Sequence, residues 1–186
     1  MKSMTQQSMV YRSVKMRIAG KRQQGASLLE AIAYLGIAAV VVLGAVSLLN
    51  GAFGSAKSNQ TNEEVVALRT AVRKLYMGQA YPAETLNPNL LLANAVPATL
   101  ARGAAGALSN SWGGAVTVTG TATGFTVTYN AIPQDVCINL ISGASGWTSI
   151  AQGQTSLTTL PATVANATTL CSVAGGTGNN LVFTAS

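Results

Sequence analysis

The chain has no histidine, only two cysteines, and five acidic residues in 186 positions. Charged residues make up 9% of it and aromatics 5%. Without histidine, the side chain most often used as a general acid or base near neutral pH is missing. Glu30, Glu84 and Asp135 stand singly and Glu63-Glu64 are expected to be a solvated pair, so no acid–base constellation emerges. Serine and threonine are plentiful, but none has a recognisable base. With no imidazole and no CxxC spacing, a zinc or thioredoxin-like site has little support. Gly175-Gly176-Thr177-Gly178 lacks the preceding strand and following helix that phosphate loops need, and reads as a turn. These absences point away from an enzyme, and no cofactor or metal is expected.

Positive charge is confined to the start. Lys2, Arg12, Lys15, Arg17, Lys21 and Arg22 precede Gly25 with no acid among them. After Gly25, five bases face five acids, so the formal +6 lies entirely in the first 25 residues. That distribution argues against a nucleic-acid surface. A basic flank before an apolar span instead holds the N-terminus in the cytoplasm. The span Ala31–Leu49 carries no charge and is long enough to cross a bilayer as a helix. A secretory signal has a shorter apolar region followed by a small-residue cleavage site. Gly51-Ala52-Phe53-Gly54-Ser55-Ala56 offers such a site, but cleavage there leaves Glu30 without a purpose. A carboxylate in a membrane helix is costly, roughly 2.5–3.5 kcal/mol at the centre and less towards the end, and a partner is expected. The nearest is the ammonium that appears on Ala26 if the chain is cut after Gly25.

The order Gly25-Ala26-Ser27-Leu28-Leu29-Glu30 behind a basic leader and ahead of an unbroken apolar helix resembles a type IV prepilin. The 25-residue leader and Ala26 in place of Phe resemble the type IVb subclass. Asn110-Ser111-Trp112-Gly113-Gly114 also resembles the loop before the first sheet strand in type IVb pilins. The resemblance implies that a prepilin peptidase cuts between Gly25 and Ala26 and N-methylates Ala26. It implies that Glu30 offsets the N-terminal charge of a neighbouring subunit. The fold it implies is α+β, a long N-terminal helix packed on an antiparallel β-sheet head, with the first half of the helix hydrophobic and membrane-spanning. The expected parts are a removed leader 1–25, a membrane and filament-core helix 26–50, and an exported head 51–186 with a disulfide loop 137–171. Implied partners are identical subunits, the peptidase, an assembly ATPase acting through a membrane platform, and an outer-membrane secretin. The precursor is expected in the inner membrane and the mature chain in an extracellular pilus for adhesion, aggregation or DNA transfer. Two other readings share some features. A minor pilin or secretion-system pseudopilin carries the same leader motif, and a signal-anchored periplasmic binding protein never polymerises.

Gly36 and Gly44 lie on nearly the same helix face, where small residues let helices approach closely in an apolar medium. Glycine is also simply common in membrane helices. Asn50–Asn62 is poor helix material, and Thr61 with Glu64 has the spacing of a capping box, so the helix is expected to loosen and restart near Asn62. Beyond it, Val65, Leu68, Val72 and Leu75 form an apolar stripe running to about Gly78. Ala115–Thr119 and Phe125–Tyr129 alternate as a β-hairpin with Val116, Val118, Phe125, Val127 and Tyr129 on its buried face. Pro133 opens a helix, Pro161–Cys171 reads as a second short one, and Leu181-Val182-Phe183 as a closing strand. For Cys137 and Cys171, an exported domain meets an oxidising compartment, so a disulfide is the default. A C-terminal disulfide loop is also a hallmark of the family. Asn59-Gln60-Thr61 and Asn166-Ala167-Thr168 match the glycosylation sequon, a weak signal by itself.

Overall fold

Hydrophobic periodicity changes along the chain, and the architecture follows it. The computed structural model describes residues 27–173 and 178–186. These divide into two compact units at Ala45/Val46. The turn read at Gly175-Gly176-Thr177 lies outside the described residues.

Helix α1 (Leu28–Leu75) runs 48 residues without a break. The expected loosening at Asn50–Asn62 is absent. Helix propensity is a weak term that packing overrides, and Ser58, Thr61, Glu64 and Val65 are buried in the head. Thr61 is not a cap, because its hydroxyl donates back to the Lys57 carbonyl at 2.8 Å, as Ser55 does to Gly51 at 3.1 Å. The stripe Val65, Leu68, Val72 is buried as expected, but Tyr76 completes it while Leu75 is only partly covered. The helix ends at Leu75 and is followed by a turn in which Gly78 takes φ +78°.

The short helix α2 (Asn87–Leu92) is followed by β1 (Ala101–Arg102), a 3-10 turn, and β2 (Leu108–Ser109). The hairpin is longer than its alternation indicated, with β3 (Ala115–Thr121) and β4 (Gly124–Ile132) closing at Thr121↔Gly124. Val116, Val118, Phe125, Val127 and Tyr129 are all buried, as the alternation requires. Next come α3 (Gln134–Gly143), the hairpin β5 (Ser149–Gln152) and β6 (Thr155–Leu157), α4 (Val164–Leu170), and β7 (Asn179–Ala185). The second short helix is thus shorter than Pro161–Cys171, because the Thr163 side chain caps it by accepting from the Asn166 N–H at 3.3 Å.

One antiparallel sheet of seven strands has the order β1-β2-β3-β4-β7-β5-β6. The C-terminal strand β7 sits inside it, with Val127↔Phe183 on one side and Ile150↔Phe183 on the other. The β4/β7 register shifts between Tyr129 and Ile132, where Ala131 takes φ +57°. Buried Asn179 closes this irregularity, donating to the Ile132 and Val173 carbonyls and accepting from Val173 N–H and Gln152. Where the two-residue β2 stops short along β3, the Asn87 side chain donates to the Val116 carbonyl and accepts from Val118 N–H, continuing the pairing. A row of tilted and edge-on aromatic contacts runs Tyr76–Tyr81–Phe125–Trp147–Phe183, with ring centroids 5.2–6.3 Å apart.

Candidate functional site

The start of α1 is built by Ser27. Its carbonyl accepts from Ala31 N–H at 3.0 Å and its hydroxyl from Glu30 N–H at 3.2 Å, the bonding of an N-cap. The Ser27–Glu30 spacing signals this cap in the sequence, although Glu30 alone drew attention there. The Glu30 carboxylate accepts instead from the Tyr34 hydroxyl one turn on, at 3.2 Å. Glu30 is exposed and has no cationic partner among the described residues. Gly25 and Ala26 lie outside the described residues.

From Ile32 to Leu49 every residue is exposed, including Leu35, Val40, Leu43 and Leu48. This part of α1 is long and apolar enough to cross a membrane. Among the described residues, a Cβ placed at Gly36 or Gly44 would meet nothing within 4 Å, so their packing does not call for glycine at either position. Each lowers helix stability by about 1 kcal/mol relative to alanine.

In the head, Cys137 of α3 is bonded to Cys171 at the end of α4, with Cα atoms 5.9 Å apart and both residues fully buried. Gln134 donates to the Cys171 carbonyl at 2.9 Å beside the bridge. The enclosed segment is also held from α1, through a residue that sequence reasoning missed. Arg69 donates to the Ser145 carbonyl and lies over the Trp147 ring, 5.3 Å from its centroid. Burial, with Arg73 nearby, lowers the pKa of Arg69, yet a guanidinium stays charged. Gly146 is required there because it takes φ +74° and a Cβ would run into the Arg69 guanidinium.

The Asn110–Gly114 loop is clipped to the same helix. Asn110 accepts from Trp112 and Gly114 N–H groups at 2.9 Å, and its amide donates to the Asn130 carbonyl at 2.8 Å. Trp112 donates to Thr61 at 3.3 Å, Lys57 lies over its ring, and Gln60 bridges Ser111 to Glu64 at 2.8 Å each. Gly114 admits no side chain, since a Cβ would fall 1.8 Å from the Asn130 carbonyl oxygen. Asn59 and Asn166 are exposed, while Thr61 of the first sequon is buried. Among the described residues, no group of His, Cys, Asp or Glu could hold a metal ion.

The chain matches known proteins both in sequence and in fold. A family model described as PilS N terminal matches residues 55–186. The chain is 27% identical over 147 residues to the "Major structural subunit of bundle-forming pilus" of Escherichia coli O127:H6 (strain E2348/69 / EPEC), covering 74% of this chain and 76% of that protein. Its structure is similar to that in "Crystal structure of type IV b pilin from Salmonella typhi", with TM-score 0.53 and 27% identity over 67% of this chain and 98% of that one. The chain therefore belongs to the PilS family, among the type IVb pilins.

Proposed function

We propose that this chain is the major structural subunit of a type IVb pilus, polymerising through α1 into a surface filament for adhesion, aggregation or DNA transfer. The observation that carries this reading is the run of exposed apolar residues from Ile32 to Leu49, joined to a head whose own core is closed. Such a surface is stable in lipid or against copies of itself, and not in water.

In this reading the precursor sits in the inner membrane, oriented by the basic leader 1–25. A prepilin peptidase removes the leader after Gly25 and methylates the new terminus on Ala26. The helix 26–50 then leaves lipid for the filament core, and the heads 51–186 form the outer surface. An assembly ATPase working through a membrane platform drives the transfer, and a secretin carries the fibre across the outer membrane. Glu30, whose carboxylate has only the Tyr34 hydroxyl as a partner among the described residues, meets the cationic terminus of a neighbour. Gly36 and Gly44 let neighbouring helices approach, which offsets their propensity cost.

N-terminal sequencing and mass spectrometry of sheared surface filaments test this. The expected result is an abundant chain beginning at methylated Ala26. A chain beginning at Met1 or after Ala56 rejects the reading, and trace abundance points to a minor pilin. Glu30→Val is expected to be processed and inserted yet to assemble poorly. Normal filament yield from it would remove the charge pairing from the account.

A further inference from the structure

Most cations of the head are engaged within the chain. Lys57 lies over Trp112, Arg69 holds Ser145 and Trp147, Arg73 donates to the Ser186 carbonyl and Arg102 to that of Val96. Among the described residues, Lys74 is the head cation with no such contact, and it is exposed. It stands in the last turn of α1 on an apolar groove lined by Ala71, Leu75, Ala93 and Ala95, with exposed Leu92 alongside.

Lower on the head's portion of α1 lies a polar recess of about 320 Å³, lined by Gly51, Gly54, Ser55, Asn59, Asp135 and Asn139 among others. Asp135 and Asn139 are one turn apart on α3, as Ser55 and Asn59 are on α1, so each pair shares a helix face. The Asp135 carboxylate has no hydrogen bond or ion pair among the described residues. Among the described residues, a Cβ at Gly51 or Gly54 would meet nothing within 4 Å, so neither glycine answers to their packing. Their bare surface leaves the recess open.

We propose that Lys74 of one copy enters the Asp135 recess of another, the groove beside Lys74 being covered in the same contact. A lysine suits the site, since its thin apolar stem passes the glycines and its ammonium offers three donors to oxygens of Asp135, Asn139 and Asn59. The two surfaces differ. The groove adjoins α2, which packs against β3, whereas the recess adjoins α3, which packs on α4 at the β6 edge. A contact between unlike surfaces is heterologous and propagates as an open helix when its rotation does not close. Lys74 stands 15 to 19 residues beyond the Ser55–Asn59 turn, so touching copies are displaced along α1 by roughly 25 Å.

This contact presupposes the filament proposed above. The test measures sheared filament yield for Lys74→Glu, Asp135→Lys and the two combined, with protease resistance of the head as a check on folding. Each single reversal is expected to lower yield about tenfold, the scale of losing a charge pair across an interface, and the combination to restore it. Gly54→Leu is expected to leave the head at least as resistant to protease while filament yield falls, because it fills the recess. A short bis-maleimide should link Lys74→Cys to Asn59→Cys between copies in assembled filaments. Wild-type yield from both single reversals, no restoration by the pair, or linkage of Lys74→Cys to Glu63→Cys in place of Asn59→Cys would overturn the contact while leaving the filament reading intact. Absence of the native chain from filaments would overturn both.

Discussion

Two parts of this pilin carry large apolar side chains and differ in where they hide them. In the head, Leu68, Val72, Phe125, Val127 and Phe183 are sealed by other residues of the same chain. Between Ile32 and Leu49, Ile37, Val41 and Leu43 are covered by nothing among the described residues. Apolar area contributes free energy only when something removes it from water. For the head that is folding, and in the function proposed above it is lipid or another subunit for the first part of α1. Mutations should therefore act on folding in one region and on assembly in the other.

The largest expected effect comes from emptying the head core. Phe125→Ala should destabilise the head by about 3–5 kcal/mol, whereas Leu43→Ala leaves its thermal midpoint unchanged. Equal shifts in differential scanning calorimetry would break the distinction between the two regions. Opening the bridge with Cys137→Ser should cost about 3–4 kcal/mol by the loop-closure argument and lower protease resistance. Unchanged proteolysis would mean that the Arg69 clasp alone holds the enclosed segment.

Tyr129 sharpens the head side through pH. Burial first, then the negative charge of Glu64, pushes its phenol well above the ordinary value. A raised pKa means the neutral form is favoured in the fold. That stability is complete below the unfolded phenol value near 10 and is lost as pH climbs above it, by up to about 1.4 kcal/mol per pH unit. The hydroxyl has no hydrogen-bond partner among the described residues. Tyr129→Phe should thus be close to neutral at pH 7 and flatten the alkaline loss, and an unchanged alkaline melt would contradict this. The smallest effect on the head is expected from Gly36→Ala with Gly44→Ala. Head melting should not move, while filament yield drops because each added methyl separates neighbouring helices. Normal filaments from that variant would leave the two glycines as ordinary residents of a membrane helix.

How much was legible in the sequence depended on how local the cause was. The β3–β4 hairpin, the stripe Val65-Leu68-Val72 and the two proline-led helices announce themselves by period and punctuation. The break expected at Asn50–Asn62 failed because glycine and asparagine propensities amount to a few kcal/mol, which burial of Ser58, Thr61 and Val65 outweighs. The β5–β6 hairpin was missed because Ser149–Leu157 alternates weakly. It is a strand pair because β7 offers its edge through Ile150↔Phe183. Arg69 was invisible for the same kind of reason, since its partners Ser145 and Trp147 lie more than seventy residues away.

From residue order alone came the basic first 25 residues, the uncharged span behind Glu30, and two cysteines expected to pair in an oxidising compartment. Charge, length and redox chemistry act on a chain before it folds, so they can be read without coordinates. Tertiary structure decided that α1 stays helical through its glycines, that the last strand lies inside the sheet, and that Arg69 clasps the disulfide loop. Each of those depends on residues far apart in sequence competing for the same buried space. That competition is settled only when the whole head closes.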